Sequence, residues 1–297
     1  WWCSLAGVTA APITITDIGT VSAADLKAIE ENGATGLITI GSNTTSLTGT
    51  KDDISHVILH DDVATQTALG HPVTITGSTP LDLIVTDDIT AENQATLAGK
   101  STGKITANIT TTSFANPGGA VDLAELVGTG HNLTIQVNDA TVAASKLITL
   151  DSVTTKAITF GSLFAKITGT ATEVTNVLNS PGFASFPAGL NIDVDSGTTT
   201  VAQANILDGK TTGTVTASIS NGDMATLNTI TGTGNEYTIT VTDSELDAAA
   251  LVALDAKTAK DITINAATTI TGSLADVKKI YAAVLPIPVL SIKPNQR

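Results

Sequence analysis

The feature that most constrains this chain is a short strand-like run that keeps returning. It reads PITITD from Pro12, GLITIG from Gly36, PVTITG from Pro72, DLIVTD from Asp82 and KITANI from Lys104. It continues as NLTIQVND from Asn132, AITFGS from Ala157, LNIDVD from Leu190, TVTASI from Thr214, YTITVTD from Tyr237 and DITINA from Asp261. Many successive starts fall roughly 22–25 residues apart, the period of a strand-plus-helix coil. Two coils make one larger sequence unit.

Two kinds of helical segment lie between the runs. The first kind starts near Ser22, Ala91, Val142, Val201 and Leu246, each with an apolar anchor: Ile29, Leu97, Leu150, Leu207 and Leu254. Ala and Leu recur at helical spacing, so one stripe faces a core and the other faces water. The second kind starts at Thr48, Thr168 and Thr271 and carries hydroxyl–acid pairs three apart: Thr50 with Asp53, Thr170 with Glu173, Ser273 with Asp276. That is the capping-box pattern, in which hydroxyl and acid satisfy helix-start amides reciprocally.

Strand, helix, strand, helix at near-constant period returns the chain to the same end each time, so the strands are expected to pair in parallel. A coil of this size cannot bury its own apolar face and must share it with its neighbours. The expected fold is an α/β repeat solenoid of stacked strand–helix coils with a parallel β-sheet, continuous over 12–281. Loops are expected where Gly and Pro interrupt the period, at 60–80, 111–131 and 179–189. Residues 1–11 read as an N-terminal tail or secretion-signal remnant, with Val8 and Ala10 placed as a cleavage site would place them. Residues 282–297 read as an extended C-terminal segment.

Composition supports a narrow core. Apolar residues make up 42% of the chain but aromatics only 3%, whereas wide globular cores lean on aromatic area. The single Cys3 excludes an intrachain disulfide. With 28 acidic against 14 basic residues and a net charge of −14, the chain repels phosphate backbones and anionic lipid. No apolar run reaches the ~20 residues of a membrane-spanning helix. Nucleic acid and membrane are therefore not expected partners, and the composition suits a secreted or cell-surface protein.

The phrases ANILDGKTTGTVTASI (204–219), LVALDAKTAKDITINA (251–266) and ITGTATEVTNVLNS (167–180) resemble repeats of very long surface or secreted proteins of cyanobacteria, and of some proteins of their phages. The resemblance runs from about Pro12 to Tyr281. It implies an extracellular adhesive, matrix or filament protein with no catalytic residues to carry over. Members often also bind calcium through G-G-x-G-x-D repeats, which this sequence lacks.

Acidic residues gather where strands end, at Asp17, Asp87 and Asp88, Asp139, Asp193 and Asp195, and Asp243. Stacked carboxylates there could hold Ca²⁺, which takes several oxygen ligands; Asp between strand and helix is equally a cap or turn former. His56 and His60 share a helical face, a metal-type spacing without the Glu of a hydrolytic zinc motif. His71 and His131 read as surface residues. Thr-x-Thr at Thr14/Thr16, Thr74/Thr76, Thr214/Thr216 and Thr238/Thr240 puts two hydroxyls on one strand face, suited to ordered water or ice, or simply to solvent. No nucleophile elbow, P-loop or dinucleotide fingerprint is present, so an enzyme is not expected. The ends carry Trp1, Trp2, Val289, Leu290 and Ile292 as candidate assembly residues. These segments either plug the stack or dock into a neighbouring copy. The sequence thus points to a structural extracellular subunit of a filament, matrix or surface layer that self-associates through its ends. The alternatives are an adhesin or phage-fibre-like module binding a cell surface or polysaccharide through edge loops, and an ice- or calcium-binding solenoid.

Overall fold

A computed structural model describes residues 11–32, 37–59, 73–75, 80–114 and 122–284. It is an α/β structure of several parallel sheets in which strands and helices alternate along the chain. The helices are α1 (Ala23–Glu31), α2 (Lys51–Leu59), α3 (Ala91–Ala98), α4 (Ala144–Val153) and α5 (Ala171–Asn179), then α6 (Val201–Asp208), α7 (Met224–Leu227), α8 (Ala248–Asp255) and α9 (Leu274–Val284).

The chain divides into two compact units. The first comprises residues 1–140, 146–164 and 180–185, and the second residues 141–145, 165–179 and 186–297. In the first, Gly19–Ser22, Thr44–Gly49, Asp82–Ile89, Ile105–Ile109 and Asn132–Thr134 make one five-stranded sheet. In the second, Thr141–Ala143, Lys166–Thr168, Asn191–Asp193, Val215–Ser218 and Glu236–Thr238 make another. Every strand lies in chain order beside the next and parallel to it. Smaller parallel ladders accompany them, Ile13–Ile15 with Ile38–Ile40 and then Val73–Ile75 in the first unit, and Thr240–Val241 with Thr263–Ile264 in the second.

Register stacks like on like. Val21 pairs with Leu47, Leu47 with Leu83 and Leu83 with Ile105, a fully covered apolar column. Val142, Ile167, Ile192 and Val215 form the same column in the second unit. Each inner column residue, such as Leu47 or Ile167, is flanked by the strand before and the strand after, and apolar area so covered contributes about 25 cal/mol per Å².

The helices bury residues three apart: Ala91, Gln94 and Leu97 in α3; Ala171, Val174 and Val177 in α5; Val201, Ala204 and Leu207 in α6; Ala248, Leu251 and Leu254 in α8. The anchors Leu97, Leu150, Leu207 and Leu254 are buried as expected. Ile29 is not the anchor of α1: Leu26 and Glu30 take the inner positions, because His56 of α2 bonds the Glu30 carboxylate at 2.7 Å and makes its burial tolerable. The helices α1, α4 and α8 begin on Ala23, Ala144 and Ala248, where coils meet closely. A Cβ built on Gly49 would lie 3.1 Å from Ala23 Cβ, on Gly169 3.4 Å from Ala144 Cβ, and on Gly272 2.7 Å from Ala248 Cβ.

The 111–131 stretch, expected as an edge loop, contains a 3-10 turn at Leu123–Glu125 and buries Phe114, Leu123 and Leu126. It occupies the helical side of a coil, as Met224–Leu227 does in the second unit. In the 179–189 stretch, Phe183 pairs with Ile158 and is buried. Of the 60–80 stretch, only the strand at 73–75 lies within the described residues.

Candidate functional site

The polar side chains of this protein converge on the seams between coils. One seam follows α3, α4, α6 and α8. The hydroxyl of Thr154 accepts from its own turn (Lys156 N–H, 3.1 Å) and from Leu133 N–H (3.0 Å), and donates to the Leu133 carbonyl (2.8 Å) one coil back. Ser101 does the same with Gly103 N–H and the Leu81 carbonyl, Thr211 with Gly213 N–H and the Leu190 carbonyl, and Thr258 with Lys260 N–H and the Tyr237 carbonyl. One hydroxyl thus closes a turn and ties two coils, using its donor and acceptor capacity together.

The second seam lies at the helix starts, and it is where the candidate calcium ligands sit. A helix leaves its first amides without intrahelical partners, and here the next coil supplies acceptors. Asp87 accepts from Lys51 N–H at 2.7 Å, Asp139 from Phe114 N–H at 2.9 Å while also bonding the Ser113 hydroxyl, and Asp243 from Met224 N–H at 2.8 Å. Thr111 serves Ala91 N–H and Asn221 serves Val201 N–H in the same manner. Apart from Asp139, which anchors the Ser113–Phe114 backbone, these are N-caps contributed in trans by the following coil, a geometry that sequence spacing within one helix cannot reveal. Of the other candidates, the Asp17 carbonyl accepts from Thr44 at 3.0 Å, Asp88 accepts from Asn108 at 2.8 Å, Asp193 lies 3.7 Å from Lys166, and Asp195 is exposed. Among the described residues no three His, Cys, Asp or Glu side chains group as a metal-ligand set.

The hydroxyl–acid pairs cap their own helices. Glu173 accepts from Thr170 N–H at 2.9 Å while Thr170 accepts from Glu173 N–H at 3.2 Å, a complete capping box. The shorter acids Asp53 and Asp276 reach only the hydroxyls of Thr50 and Ser273. These bonds hold all three carboxyls below their ordinary range, with Lys27 helping at Asp53 and Lys279 at Asp276. Two further capping boxes, Thr90–Asn93 and Thr200–Gln203, use amides instead of acids and escape a search for acidic partners.

His131, expected at the surface, is 6% exposed. Gly128 and Gly130 adopt φ of +81° and +70°, a left-handed turn open to glycine that folds the imidazole inward, where Nδ1 accepts from Ile105 N–H at 3.1 Å. Burial pushes its pKa below the usual 6.5; the Val127 carbonyl opposes this, and among the described residues Nε2 has no hydrogen-bond partner. The second unit repeats the turn with Gly232, Gly234 and Asn235. There Asn235 Oδ1 takes Val215 N–H at 2.9 Å and its Nδ2 donates to Asp208 at 2.8 Å. Ala98 stands one residue before Gly99 of the C-cap, as Asp208 stands before Gly209.

His60 and Thr76 lie outside the described residues, as do Trp1, Trp2, Val289, Leu290 and Ile292. Thr14 pairs with Thr39 and Thr39 with Thr74 in register in the first unit, and Thr240 with Thr263 in the second, whereas Thr216 pairs with Asp193 and Glu236.

The least satisfied surface is the last described coil. Ile158, Ile167, Val174 and Val177 are buried; at matching steps Ile262, Ile270, Val277 and Ile280 are only half-buried. Ile264 is 37% exposed and Leu274 86% exposed. A cleft of about 570 Å³, lined by Leu251, Val252, Ile262, Ile264, Lys279 and Ile280 among others, runs along this coil.

Comparison with protein-family models, with curated proteins and with solved structures returns no match to the chain. Among the described residues no helix is long and apolar enough to cross a membrane.

Proposed function

We propose that the chain is an architectural protein: a stretch of α/β solenoid that serves as a subunit of an extracellular filament, matrix or surface layer, with copies meeting at the ends of the coil stack. The observation that carries this reading is where the polar chemistry goes. Serine, threonine and aspartate side chains that an active site would keep free are engaged coil to coil, through Thr154, Thr258, Asp87, Asp139 and Asp243. Such bonding lengthens a stack; it does not assemble a reaction centre. The last described coil, with its half-buried Ile262, Ile270, Val277 and Ile280, is the kind of edge to which further strands add. The acidic charge and the resemblance to cyanobacterial surface repeats support an extracellular setting.

Electron microscopy of the purified protein at rising concentration tests the reading. Fibres or sheets of uniform width are expected. Isolated particles that instead adhere to cells or polysaccharide would replace it with the adhesin reading.

A further inference from the structure

The glycine turn at His131 and its counterpart at Asn235 are completed differently. In the second unit both ends of the Asn235 amide are used: Oδ1 accepts from Val215 N–H at 2.9 Å and Nδ2 donates to the Asp208 carboxylate at 2.8 Å. In the first unit His131 takes the accepting role through Nδ1, which receives Ile105 N–H at 3.1 Å. A neutral imidazole that accepts at Nδ1 carries its hydrogen on Nε2. Nε2–H is therefore a buried donor, and it has no hydrogen-bond partner among the described residues. The position that supplies the acid in the second unit, just before the helix C-cap, holds Ala98 here. The Val127 carbonyl, whose field reaches the ring, already accepts from Gln94 Nε2 at 3.0 Å. An unmet buried donor is costly, so an acceptor from outside the fold is favoured at this point.

Where the acid is missing there is space. A cleft of about 300 Å³ is lined by Ala98, Thr102, Lys104, Gly128, Gly130 and His131 among others. His131 Nε2 lies under Gly128, where a Cβ would stand 2.4 Å from it. Against Gly232 the two Asp208 carboxylate oxygens hold that same place, 2.3 Å from such a Cβ. Lys104 is exposed, forms an ion pair with no described residue, and is the charged group whose field acts on the imidazole. The acid on the adjoining strand, Asp82, is engaged by the Lys104 backbone N–H at 2.7 Å.

We propose that this cleft binds the carboxylate of a small organic acid, which accepts from His131 Nε2–H and pairs with the Lys104 ammonium above Ala98. The carboxylate follows from the second unit, where the matching donor is met by one. The ligand is small because about 300 Å³ stands at the lower end of the range for small-molecule sites. A chain with a net charge of −14 repels acids in general, so the uncompensated Lys104 is what makes this one place receptive. The site goes beyond the architectural reading and does not depend on it, since all of its residues belong to the first unit.

Nuclear magnetic resonance of the imidazole nitrogens in the full chain tests the assignment, with acetate as the probe and chloride at equal ionic strength as the control. The titration is run at about pH 8, above the ordinary imidazole value, and the signal that disappears in His131→Asn is that of His131. Acetate is expected to shift this signal saturably and chloride to leave it in place. Lys104→Gln, at an exposed position, should weaken acetate binding roughly 2–5-fold, the loss of one partly exposed charge pair. Ala98→Asp should abolish the response, because the chain then supplies its own acceptor. A ring signal indifferent to acetate, or one that responds equally in the unmodified chain and in Lys104→Gln, would overturn the proposal. Inorganic phosphate binding more tightly than acetate would overturn the carboxylate assignment. A shift that grows with protein concentration in the absence of acetate would assign the acceptor to an acidic side chain of a second copy and overturn the small-acid ligand.

Discussion

At the scale of single residues, threonine turns out to be a fastener. Thr154 is 6% exposed and satisfies two amides and one carbonyl, so its hydroxyl cannot be removed cheaply: an unsatisfied buried group costs about 1–3 kcal/mol. Thr154→Val should therefore lose stability of that order in denaturant unfolding, while Thr14→Val, on an exposed strand position, should change it by less than about 0.5 kcal/mol. The buried His131 supplies a pH signal. Its folded-state pKa lies below 6.5, so the unfolded chain binds the proton more readily. The stability from its neutral form is complete above 6.5 and is lost as pH falls from there through the lowered folded value. His131→Asn copies the second unit and should remove that slope. Adding Ala98→Asp restores the Asn235–Asp208 arrangement, and the two changes should show a favourable coupling of about 0.5–3 kcal/mol in a double-mutant cycle.

At the scale of elements, α2, α3, α6 and α7 are each started by two sources of acceptors, their own cap and the next coil. Asp139→Ala leaves the amide of the buried Phe114 without its acceptor and should cost about 1–3 kcal/mol, read as a lowered unfolding midpoint. Gly272→Ala meets both a φ of +150° and the Ala248 Cβ, and overpacking of this kind costs about 1–3 kcal/mol. The carboxyls of Asp53, Glu173, Asp223 and Asp276 are all held below their ordinary values by hydrogen bonds at helix starts. Their contribution is therefore complete above the ordinary carboxylate range and is lost as pH falls through the lowered values; Glu173→Gln should flatten part of that acid limb. These elements also show what a sequence can and cannot disclose. Strand runs, helix stripes and the Thr170–Glu173 box depend on neighbours within a few residues, so they were legible. The trans caps at Asp87 and Asp243 depend on partners 36 and 19 residues away, and carboxylates lined up at strand ends look the same whether they await an ion or an amide. Ile29 and His131 were misplaced for a related reason: the partners that decide their depth, His56 against Glu30 and Ile105 N–H against the imidazole, belong to other coils.

For the whole molecule, the proposed solenoid has burial pass from coil to coil within each unit instead of gathering in one centre, so that each coil's stability would depend on its immediate neighbours. The measurement that bears on this most directly is the far-ultraviolet circular dichroism and denaturant unfolding of a chain ending at Thr258, which removes the last strands and α9. A stack predicts that the remaining helices and ladders stay folded, with helical signal lost only in proportion to α9 and a modestly lower midpoint. Collapse of most of the secondary structure on losing that one coil would contradict it.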